Sequence, residues 1–347
     1  MSKTLVKFSL NFESISTTTL WYLSDLSEYR GKQELYTHQA PQKLKSLREH
    51  SVIESSISSN RMEGVEIEQK RIEAVLFGKA LYNDRNEEEV AGYRKALTLI
   101  HEDHADLVLS EELIKKLHAF TRGEIWDAGI YKEKDGDIIE KYSDGRERVR
   151  FKTVTAAETA EAMNNLLEHW KDLLRERKVH PLVLLAAFNL DFLCIHPFRD
   201  GNGRVSRLLF LLQSYHLGFE VGRYISLEKL IEENKERYYE NLEQSSQGWH
   251  EGKHDPWPFI NYMLSIFKMA YKEFENRVGE VQFPKGAKTG TILAAIDKHL
   301  GKFSIGELQK ACPGSSLDMI RKVLKDLKKE GKVECLGRGK DAFWKKI

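Results

Sequence analysis

The sequence predicts a mainly α-helical protein with one β-hairpin and a small basic C-terminal domain. The chain has 347 residues but only seven prolines, and helix-favouring stretches follow one another along most of it. Two Asp-Gly pairs between short β-prone runs mark residues 131–153. Residues 286–347 carry 14 Lys and Arg against 7 Asp and Glu, a local net charge of +7 in a chain whose net charge is +1. Residues 286–347 therefore differ in charge from the rest of the chain, which is net acidic.

Helical patterning dominates the first 280 residues, where apolar side chains recur at spacings of three and four. The predicted helices lie within 12–48 and over 50–62, 87–101, 111–122, 156–175, 181–195, 204–217, 226–244 and 256–279. Gly218 is expected to close the helix before it. The longest apolar stretch, 182–195, is too short to span a bilayer and predicts a buried core helix, so no membrane association is expected.

The run 131–153, YKEKDGDIIEKYSDGRERVRFKT, interrupts the helices. Its β-prone segments flank turn residues, which predicts an exposed β-hairpin.

The tail follows a Phe283-Pro284-Lys285-Gly286 linker and predicts three short helices at 290–300, 304–312 and 315–330. Two β-prone runs around 337–339 complete the pattern of a winged helix-turn-helix, with Ser315 or Ser316 capping the third helix. Its basic residues could contact DNA phosphates: Arg321, Lys322, Lys325, Lys328, Lys329, Arg338 and Lys340. Dimerisation or docking of a target protein is the alternative role for this domain.

Composition excludes several other classes. A net charge of +1 gives no whole-chain field for nucleic acid or membrane. Cys194, Cys312 and Cys335 lack disulfide or zinc spacing, and the N-terminus has no apolar signal segment. These features predict a protein of the reducing cytoplasm.

The stretch HPFRDGNGRVSR, residues 196–207, carries the chemistry. Gly201 and Gly203 allow a tight backbone turn at the start of a helix, where free N–H groups bind anions. Arg204 and Arg207 are three residues apart, so both are expected on one helical face, where two guanidiniums suit a polyphosphate.

Two further side chains complete this stretch. Asp200 can hold a divalent cation against phosphate, and His196 can take a proton near neutral pH. Each residue alone is ordinary: a histidine before proline is usually structural, and Asp-Gly-Asn-Gly is usually a surface turn. Their order within twelve residues favours a phosphate-handling active site.

The stretch resembles the signature of the Fic family, His-x-Phe-x-Asp/Glu-Gly-Asn-Gly-Arg-x-x-Arg, with every fixed position met. Looser matches at 87–97, 113–123 and 237–242 extend the resemblance over roughly residues 12–275. It implies an α-helical bundle with a β-hairpin flap, and transfer of AMP from ATP to a Tyr, Thr or Ser hydroxyl of a target protein, or of the enzyme itself, with Mg²⁺ or Mn²⁺. The implied domains are 1–85, 86–280 and the winged helix-turn-helix at 286–347.

By this resemblance, each residue of the loop has a role. His196 is the general base, Asp200 binds the metal, and Phe198 anchors the loop. The implied ATP-binding residues are Asp200, Gly201, Asn202, Gly203, Arg204, Val205, Ser206, Arg207, Tyr238 and, in the inhibited state, Glu63. Among these, Arg204 and Arg207 grip the outer phosphates. Tyr238 could equally be a core tyrosine.

The flap strand implied by the family docks the target segment, here through Val149, Arg150, Phe151 and Lys152. Many members have two prolines at its end, where this chain has Thr153-Val154. The basic run 145–152 could prefer an acidic target, or could simply be a solvated hairpin.

A segment before the domain resembles the inhibitory helix of some Fic proteins, Ser/Thr-x-x-x-Glu-Gly/Asn. Ser59, Glu63 and Gly64 match it, within a helix at about 50–64. The resemblance implies that Glu63 pairs with Arg207 and keeps it from the γ-phosphate. Glu54 is the other candidate, but no Gly or Asn follows it.

Two other functions stay open on the sequence alone. One is a nucleotide-sensing, DNA-binding regulator without catalysis. The other is transfer of UMP, phosphate or phosphocholine by the same loop. Relatives are often dimers, so a homodimer is also a candidate assembly.

Overall fold

The structure is a computed structural model of the chain. It describes residues 3–10, 15–39, 41–78, 81–141, 145–278, 292–293, 295–296, 302–311, 316–337 and 342–346. The chain divides into two compact units, Met1–Glu280 and Val281–Ile347. The predicted linker at 283–286 lies outside the described residues, and the finer boundary at 85/86 stays a prediction.

The first unit is mainly α-helical, as predicted, and contains one hairpin. Its helices are α1 (Lys3–Leu10), α2 (Thr17–Gln39), α3 (Pro41–Met62), α4 (Ile72–Phe77), α5 (Arg85–Asp103), α6 (Glu111–Arg122), α7 (Ala156–Glu176), α8 (Pro181–Ile195), α9 (Asn202–His216), α10 (Leu227–Glu233), α11 (Lys235–Ser246) and α12 (Trp257–Val278). Short 3₁₀ turns lie at Gln69–Arg71 and Val221–Arg223.

The core is built around α8. Every residue of this helix from Leu182 to Ile195 is buried, because α1, α7, α9, α11 and α12 pack around it. Asp191, the charged residue in this run, accepts backbone hydrogen bonds from Thr4 and Leu5 at 2.9–3.1 Å and one from Trp249 Nε1 at 2.6 Å. It therefore satisfies free N–H groups at the start of α1. Among the described residues, no helix is long and apolar enough to cross a membrane.

Two helix boundaries differ from the sequence prediction. Residues 50–62 are the second half of one helix, α3, which begins at Pro41. Conversely, the helix predicted over 226–244 is two helices, α10 and α11, separated at Asn234. The Asn234 amide donates to Leu230 O at 2.9 Å, and such local bonds compete with a continuous helix.

The hairpin forms where predicted, from β1 (Asp137–Lys141) and β2 (Glu147–Lys152). The strands are antiparallel, with Ile138 opposite Phe151 and Ile139 opposite Val149. Arg150 is thus the extra residue of a β-bulge, which re-aims its side chain. The turn residues 142–144 lie outside the described residues.

The second unit contains α13 (Ile305–Ala311), α14 (Leu317–Lys329) and a small antiparallel sheet in the order β3-β5-β4. The strands are β3 (Phe303–Ser304), β4 (Val333–Cys335) and β5 (Phe343–Lys346), so the sheet has one strand more than the predicted hairpin. Ser316 caps α14 by accepting from Met319 N at 3.3 Å. Arg338, Lys340, Cys312 and most of 290–300 lie outside the described residues.

Candidate functional site

The loop between α8 and α9 has a fixed shape. His196 ends α8 in the left-handed region, with φ of 54°, and Gly201 precedes α9 with φ of 78°. The side chain of Asn202 accepts from Phe198 N at 2.9 Å and donates to Phe198 O at 2.8 Å. These two bonds close the loop, so the Asn202 side chain holds its shape while the backbone N–H groups at the start of α9 remain available.

His118 is a second anchor of the loop, and it was not predicted from the sequence. Phe198 is buried and stacks on His118, with ring centroids 3.8 Å apart. His118 Nδ1 accepts from Gly129 N at 2.9 Å, so Nε2 carries the proton and donates to Asp200 O at 3.0 Å. Burial lowers the pKa of His118 to about 4, so its ring stays neutral at pH 7. Only its place within the loosely matching segment 113–123 could have drawn attention to it.

His196 is a neutral imidazole at the edge of a cavity. Its Nδ1 lies 3.2 Å from Leu193 O. Since a carbonyl oxygen only accepts, Nδ1 carries the proton and Nε2 has a free lone pair. Burial lowers the pKa of His196 to about 4; the bond to Leu193 opposes this shift and the charge of Lys132 adds to it. The side chain can therefore accept a proton throughout the neutral range.

Asp200 presents a carboxylate at the protein surface, with 54% of its side chain exposed. Oδ1 accepts from Gly201 N at 2.6 Å, and Oδ2 accepts from Arg122 Nη1 at 2.7 Å. Burial would raise the pKa of Asp200, but Arg122 and Arg204 outweigh that effect and lower it. Asp200 is therefore ionised at pH 7.

Asp200 fits a metal ion that is held partly by the protein and partly by the phosphates of a bound substrate. In the part of the chain that the structure describes, no three His, Cys, Asp or Glu side chains are grouped to hold an ion by themselves. Mg²⁺ is commonly bound by one or two carboxylates together with substrate phosphates and water, and the exposed Asp200 can supply one such ligand.

Arg204 does not occupy the place that helical spacing predicted. Its side chain is 1% exposed, and Nη1 donates to Glu89 Oε2 at 2.5 Å, Asn60 Oδ1 at 3.1 Å and Thr121 O at 3.2 Å. The guanidinium is thus neutralised inside the bundle rather than presented beside Arg207. Spacing of three residues gives a shared face, but neighbouring helices decide how deep each side chain lies.

Arg207 is bound to the end of α3. Its Nε donates to Ser59 Oγ at 2.8 Å, and Nη2 donates to Ser59 O at 2.8 Å and to Glu63 Oε1 at 2.7 Å. Helix α3 ends at Met62, and Gly64 follows with φ of 77°. The positive φ of Gly64 ends the helical turn directly after Glu63, whose carboxylate lies over the start of α9.

A cavity of about 180 Å³ lies beside this ion pair. Its lining residues are Glu63, Ile138, Arg150, Phe151, Leu193, Cys194, His196, Gly203, Arg207, Tyr238, Tyr239, Leu242, Glu243 and Ser246. Small-molecule sites typically hold ~300–1,000 Å³. With Glu63 in place, this cavity is therefore smaller than a typical small-molecule site.

Other predicted site residues lie around this cavity or behind it. Tyr238 lines it with a ring only 3% exposed, whereas Val205 and Ser206 are fully buried within α9 and do not line it. On the flap, Arg150 and Phe151 line the cavity. The other two flap residues do not: Val149 is 50% exposed, and Lys152 O accepts from His250 Nε2 at 2.7 Å.

The flap arginines already have acidic partners within the chain. Arg148 Nη2 lies 2.7 Å from Glu243 Oε1 and 2.8 Å from Glu140 Oε2, and Arg150 Nε lies 3.4 Å from Glu243 Oε2. These ion pairs offset the positive charge that suggested an acidic target. The charge count of the sequence could not show them, because Glu243 lies on α11.

A second groove, of about 520 Å³, also reaches His196. It runs along the segment 126–137, which leads into β1, and includes Trp126, Tyr131, Phe198 and Arg199 among its lining residues. His196 therefore lines two spaces, a smaller one beside Arg207 and a larger one beside the segment 126–137.

A model of the Fic/DOC family matches residues 108–214, which include this loop. Protein adenylyltransferase Fic from Drosophila virilis is 27% identical over 153 residues, covering 43% of this chain and 29% of that protein. The protein of the same name from Drosophila grimshawi is 25% identical over 140 residues, covering 39% of this chain and 26% of its own length. The matched part of the chain thus spans less than a third of these curated relatives.

Solved structures show the same fold. A Fic family protein from Desulfovibrio desulfuricans G20 has a TM-score of 0.61 at 23% identity, covering 96% of this chain and 97% of that one. A Fic domain containing signaling protein from Bacteroides thetaiotaomicron has a TM-score of 0.60 at 21% identity, covering 73% and 96%. The matched family model, the curated relatives and the shared fold agree with the geometry of the loop, and residues 108–214 of this chain form a Fic/DOC family domain.

Proposed function

We propose that this protein transfers AMP from ATP to a Tyr, Thr or Ser hydroxyl of a target protein, and of itself, and that Glu63 inhibits it. The observation that carries the proposal is that the neutral imidazole of His196 lines the same cavity as Gly203 and Arg207. A proton acceptor beside a helix N-terminus and a guanidinium suits attack by a hydroxyl on a phosphate ester. The name of the Drosophila relatives supports the choice of AMP.

In the proposed reaction, the target hydroxyl enters from the groove beside the segment 126–137 and gives its proton to His196 Nε2. Its oxygen forms a bond to the α-phosphorus of ATP while the bond from that phosphorus to the bridging oxygen breaks, and pyrophosphate leaves. Backbone N–H groups at the start of α9 and the freed Arg207 hold the phosphates. Asp200 would hold Mg²⁺ or Mn²⁺, which when bound neutralises phosphate oxygens. The protein contributes mainly position and charge.

The proposed inhibition depends on which group binds the guanidinium of Arg207, either the Glu63 carboxylate or a phosphate of ATP. Within the residues that the structure describes, this guanidinium donates its hydrogen bonds to Ser59 and Glu63, at 2.7–2.8 Å. A triphosphate would have to compete with a carboxylate that is already paired and only a quarter exposed. We therefore expect the unmodified chain to bind ATP weakly or with its α-phosphorus out of line.

The test is labelling of the Glu63→Gly variant with Mg²⁺ and ATP that carries ³²P at either the α or the γ position. Label that reaches protein from the α position alone supports AMP transfer. Label from the γ position would mean phosphate transfer, and label from UTP but not ATP would mean UMP transfer. The matched control is the same variant with His196→Ala. Stable ATP binding without label from any position would support the nucleotide-sensing regulator instead.

We also propose that the second unit binds DNA. Helix α14 buries Ile320, Val323, Leu324 and Leu327 on one side, whereas Lys322, Lys325, Lys328 and Lys329 are exposed. Exposed lysines along one helix suit phosphate contacts. A role in dimerisation or in docking the target protein is the alternative, and the salt dependence described in the Discussion distinguishes them.

A further inference from the structure

Lys132 is a buried lysine between the hairpin and the catalytic loop. Lys132 is only 7% exposed, and its Nζ donates to Thr153 Oγ1 at 2.8 Å and to Ile195 O at 3.1 Å. Its backbone N–H donates to Pro197 O at 2.9 Å. One residue therefore holds the chain on both sides of His196 and also holds the end of the hairpin.

The contact with Ile195 bears directly on His196. Ile195 is the last residue of α8, and the final carbonyl groups of a helix lack partners within it. A lysine there satisfies a free carbonyl and interacts favourably with the negative end of the helix. Because His196 is the next residue and takes a left-handed conformation, the way α8 ends sets the direction of the imidazole.

The second contact of the Lys132 side chain is with Thr153, at the end of the hairpin. Thr153 follows β2 and donates to Gly136 O, just before β1, at 2.6 Å. Its single hydroxyl hydrogen is used in that bond, so its oxygen is free to accept from Lys132. Thr153 thus ties the two ends of the hairpin together, and Lys132 ties that junction to α8.

The ammonium also acts on His196 through its charge. Lys132 lowers the pKa of His196, whereas Glu63 and Asp200 oppose it. Burial lowers the pKa of Lys132 itself to about 8, although the negative charges of Asp135 and Asp137 oppose this shift. At pH 7 the side chain is mostly protonated, so both its charge and its hydrogen bonds are present.

We propose that Lys132 is a positioning residue that fixes the hairpin against the catalytic loop and holds the His196 imidazole in its neutral, productive orientation. The inference rests on the proposed transfer activity but concerns a residue outside the signature. Lys132 does not line the cavity beside Arg207, so it should act on turnover and not on nucleotide affinity.

The experiment compares Lys132→Met, Lys132→Arg and Thr153→Val in the Glu63→Gly background, with the exposed Lys171→Met on α7 as control. For Lys132→Met we expect kcat to fall about 10–100-fold at similar KM for ATP, because misplacing a reacting group by ~1 Å can cost on the order of 10²-fold. Lys132→Arg should recover part of this loss. Thr153→Val should lower kcat by a smaller factor, and Lys171→Met should leave it unchanged.

The second readout is the titration of His196 by NMR, which requires no transfer. Lys132→Met should raise its pKa, whereas Lys132→Arg and Thr153→Val should not, because the positive charge remains. An unchanged His196 titration together with unchanged kcat in Lys132→Met would overturn the proposal. So would a parallel loss of melting temperature, ATP affinity and kcat, which would indicate support of the fold alone.

The same two measurements distinguish a failure of the Lys132 proposal from a failure of the proposed transfer activity. If the Glu63→Gly protein transfers no AMP, the proposed function fails, while the His196 titration still reports whether Lys132 acts on the imidazole. If AMP is transferred and Lys132→Met behaves like Lys171→Met in both measurements, only the role of Lys132 fails.

Discussion

Glu63 Oε1 lies 2.7 Å from Arg207 Nη2, and the same oxygen would stand 2.2 Å from a Cβ at Gly203. The carboxylate therefore sits directly over the start of α9 and is in reach of its arginine. A Cβ at position 203 would force the Glu63 carboxylate to move, so glycine lets the carboxylate approach the start of α9 this closely. The end of α3 and the loop before α9 thus meet at one glycine and one ion pair.

Glu63→Gly should raise self-labelling, and Arg207→Ala should not. Removing the carboxylate frees the guanidinium for phosphate, whereas removing the arginine breaks the same pair but also deletes a phosphate ligand. A hydrogen bond to a charged group typically contributes ~1.5–3 kcal/mol, so we expect an increase of about 10–100-fold for Glu63→Gly. The measurement is incorporation of α-labelled AMP at matched protein and ATP.

The control for this pair is Glu54→Gln, on α3 nine residues before Glu63. Glu54 Oε1 pairs with Lys229 Nζ at 2.6 Å, away from Arg207, so this change should leave labelling unchanged. Equal or lower labelling by Glu63→Gly, with its fold intact by circular dichroism, would show that Glu63 is not the inhibitory group.

His196→Ala should abolish transfer and leave ATP affinity nearly intact. The imidazole acts on the attacking hydroxyl and not on the nucleotide, and general-base catalysis typically contributes ~10²–10⁴-fold. Labelling and ATP titration calorimetry of Glu63→Gly, with and without His196→Ala, check both parts. Near-normal labelling without His196 would remove it from the mechanism.

Asp200→Asn should raise the Mg²⁺ concentration needed for half-maximal activity and lower the maximal rate. The change removes the exposed carboxylate charge that suits a divalent cation, but keeps an oxygen of similar shape. The rate measured against Mg²⁺ and Mn²⁺ concentration tests this, and EDTA should stop the reaction of the parent enzyme. Full activity in EDTA would contradict a metal requirement.

The acid limb of the pH profile should lie well below the ordinary histidine value of 6.5. Burial lowers the pKa of His196 to about 4, so the base remains unprotonated as pH falls from 6.5 towards 4. Asp200, whose pKa is lowered from 3.8, protonates at still lower pH. In Glu63→Gly the limb should move further down, because Glu63 raises the pKa of His196. The logarithm of kcat/KM against pH measures it, and a limb at 6.5 would disprove the buried neutral imidazole.

The stability of the fold should change over the same pH window. Between pH 6.5 and about 4 the unfolded chain binds a proton at His196 that the folded chain does not bind. This contribution to stability is therefore fully present above 6.5 and is lost as pH falls towards 4. Urea unfolding at pH 7 and pH 5 should show a lower midpoint at pH 5, and His196→Ala should reduce the difference.

The full chain should bind duplex DNA with an affinity that falls steeply with salt. Replacing Lys322, Lys325 and Lys329 with Gln should weaken binding and reduce the slope of log affinity against log salt by up to ~3, since each phosphate contact contributes close to one. Lys171→Gln serves as the control. Absence of retention on duplex DNA at low salt would favour the docking or dimerisation role.

The sequence by itself determined those parts of the protein that depend on neighbours along the chain. The core helix 182–195, the hairpin and the tight turn before α9 were all predictable, because apolar periodicity, turn residues and glycines act within a few positions. The pairing of Glu63 with Arg207 was predictable only from the family resemblance, and the structure places those atoms 2.7 Å apart.

Only the tertiary structure decided which charges meet. Arg204 was expected beside Arg207, but Glu89, 115 positions away, holds it inside the bundle. The partners of the flap arginines, the stacking of His118 on Phe198 and the buried Lys132 between Thr153 and Ile195 likewise join segments that are far apart in sequence. Spacing along a helix fixes the face on which a charged side chain lies, but its partner, its depth and hence its pKa depend on what the fold packs against that face.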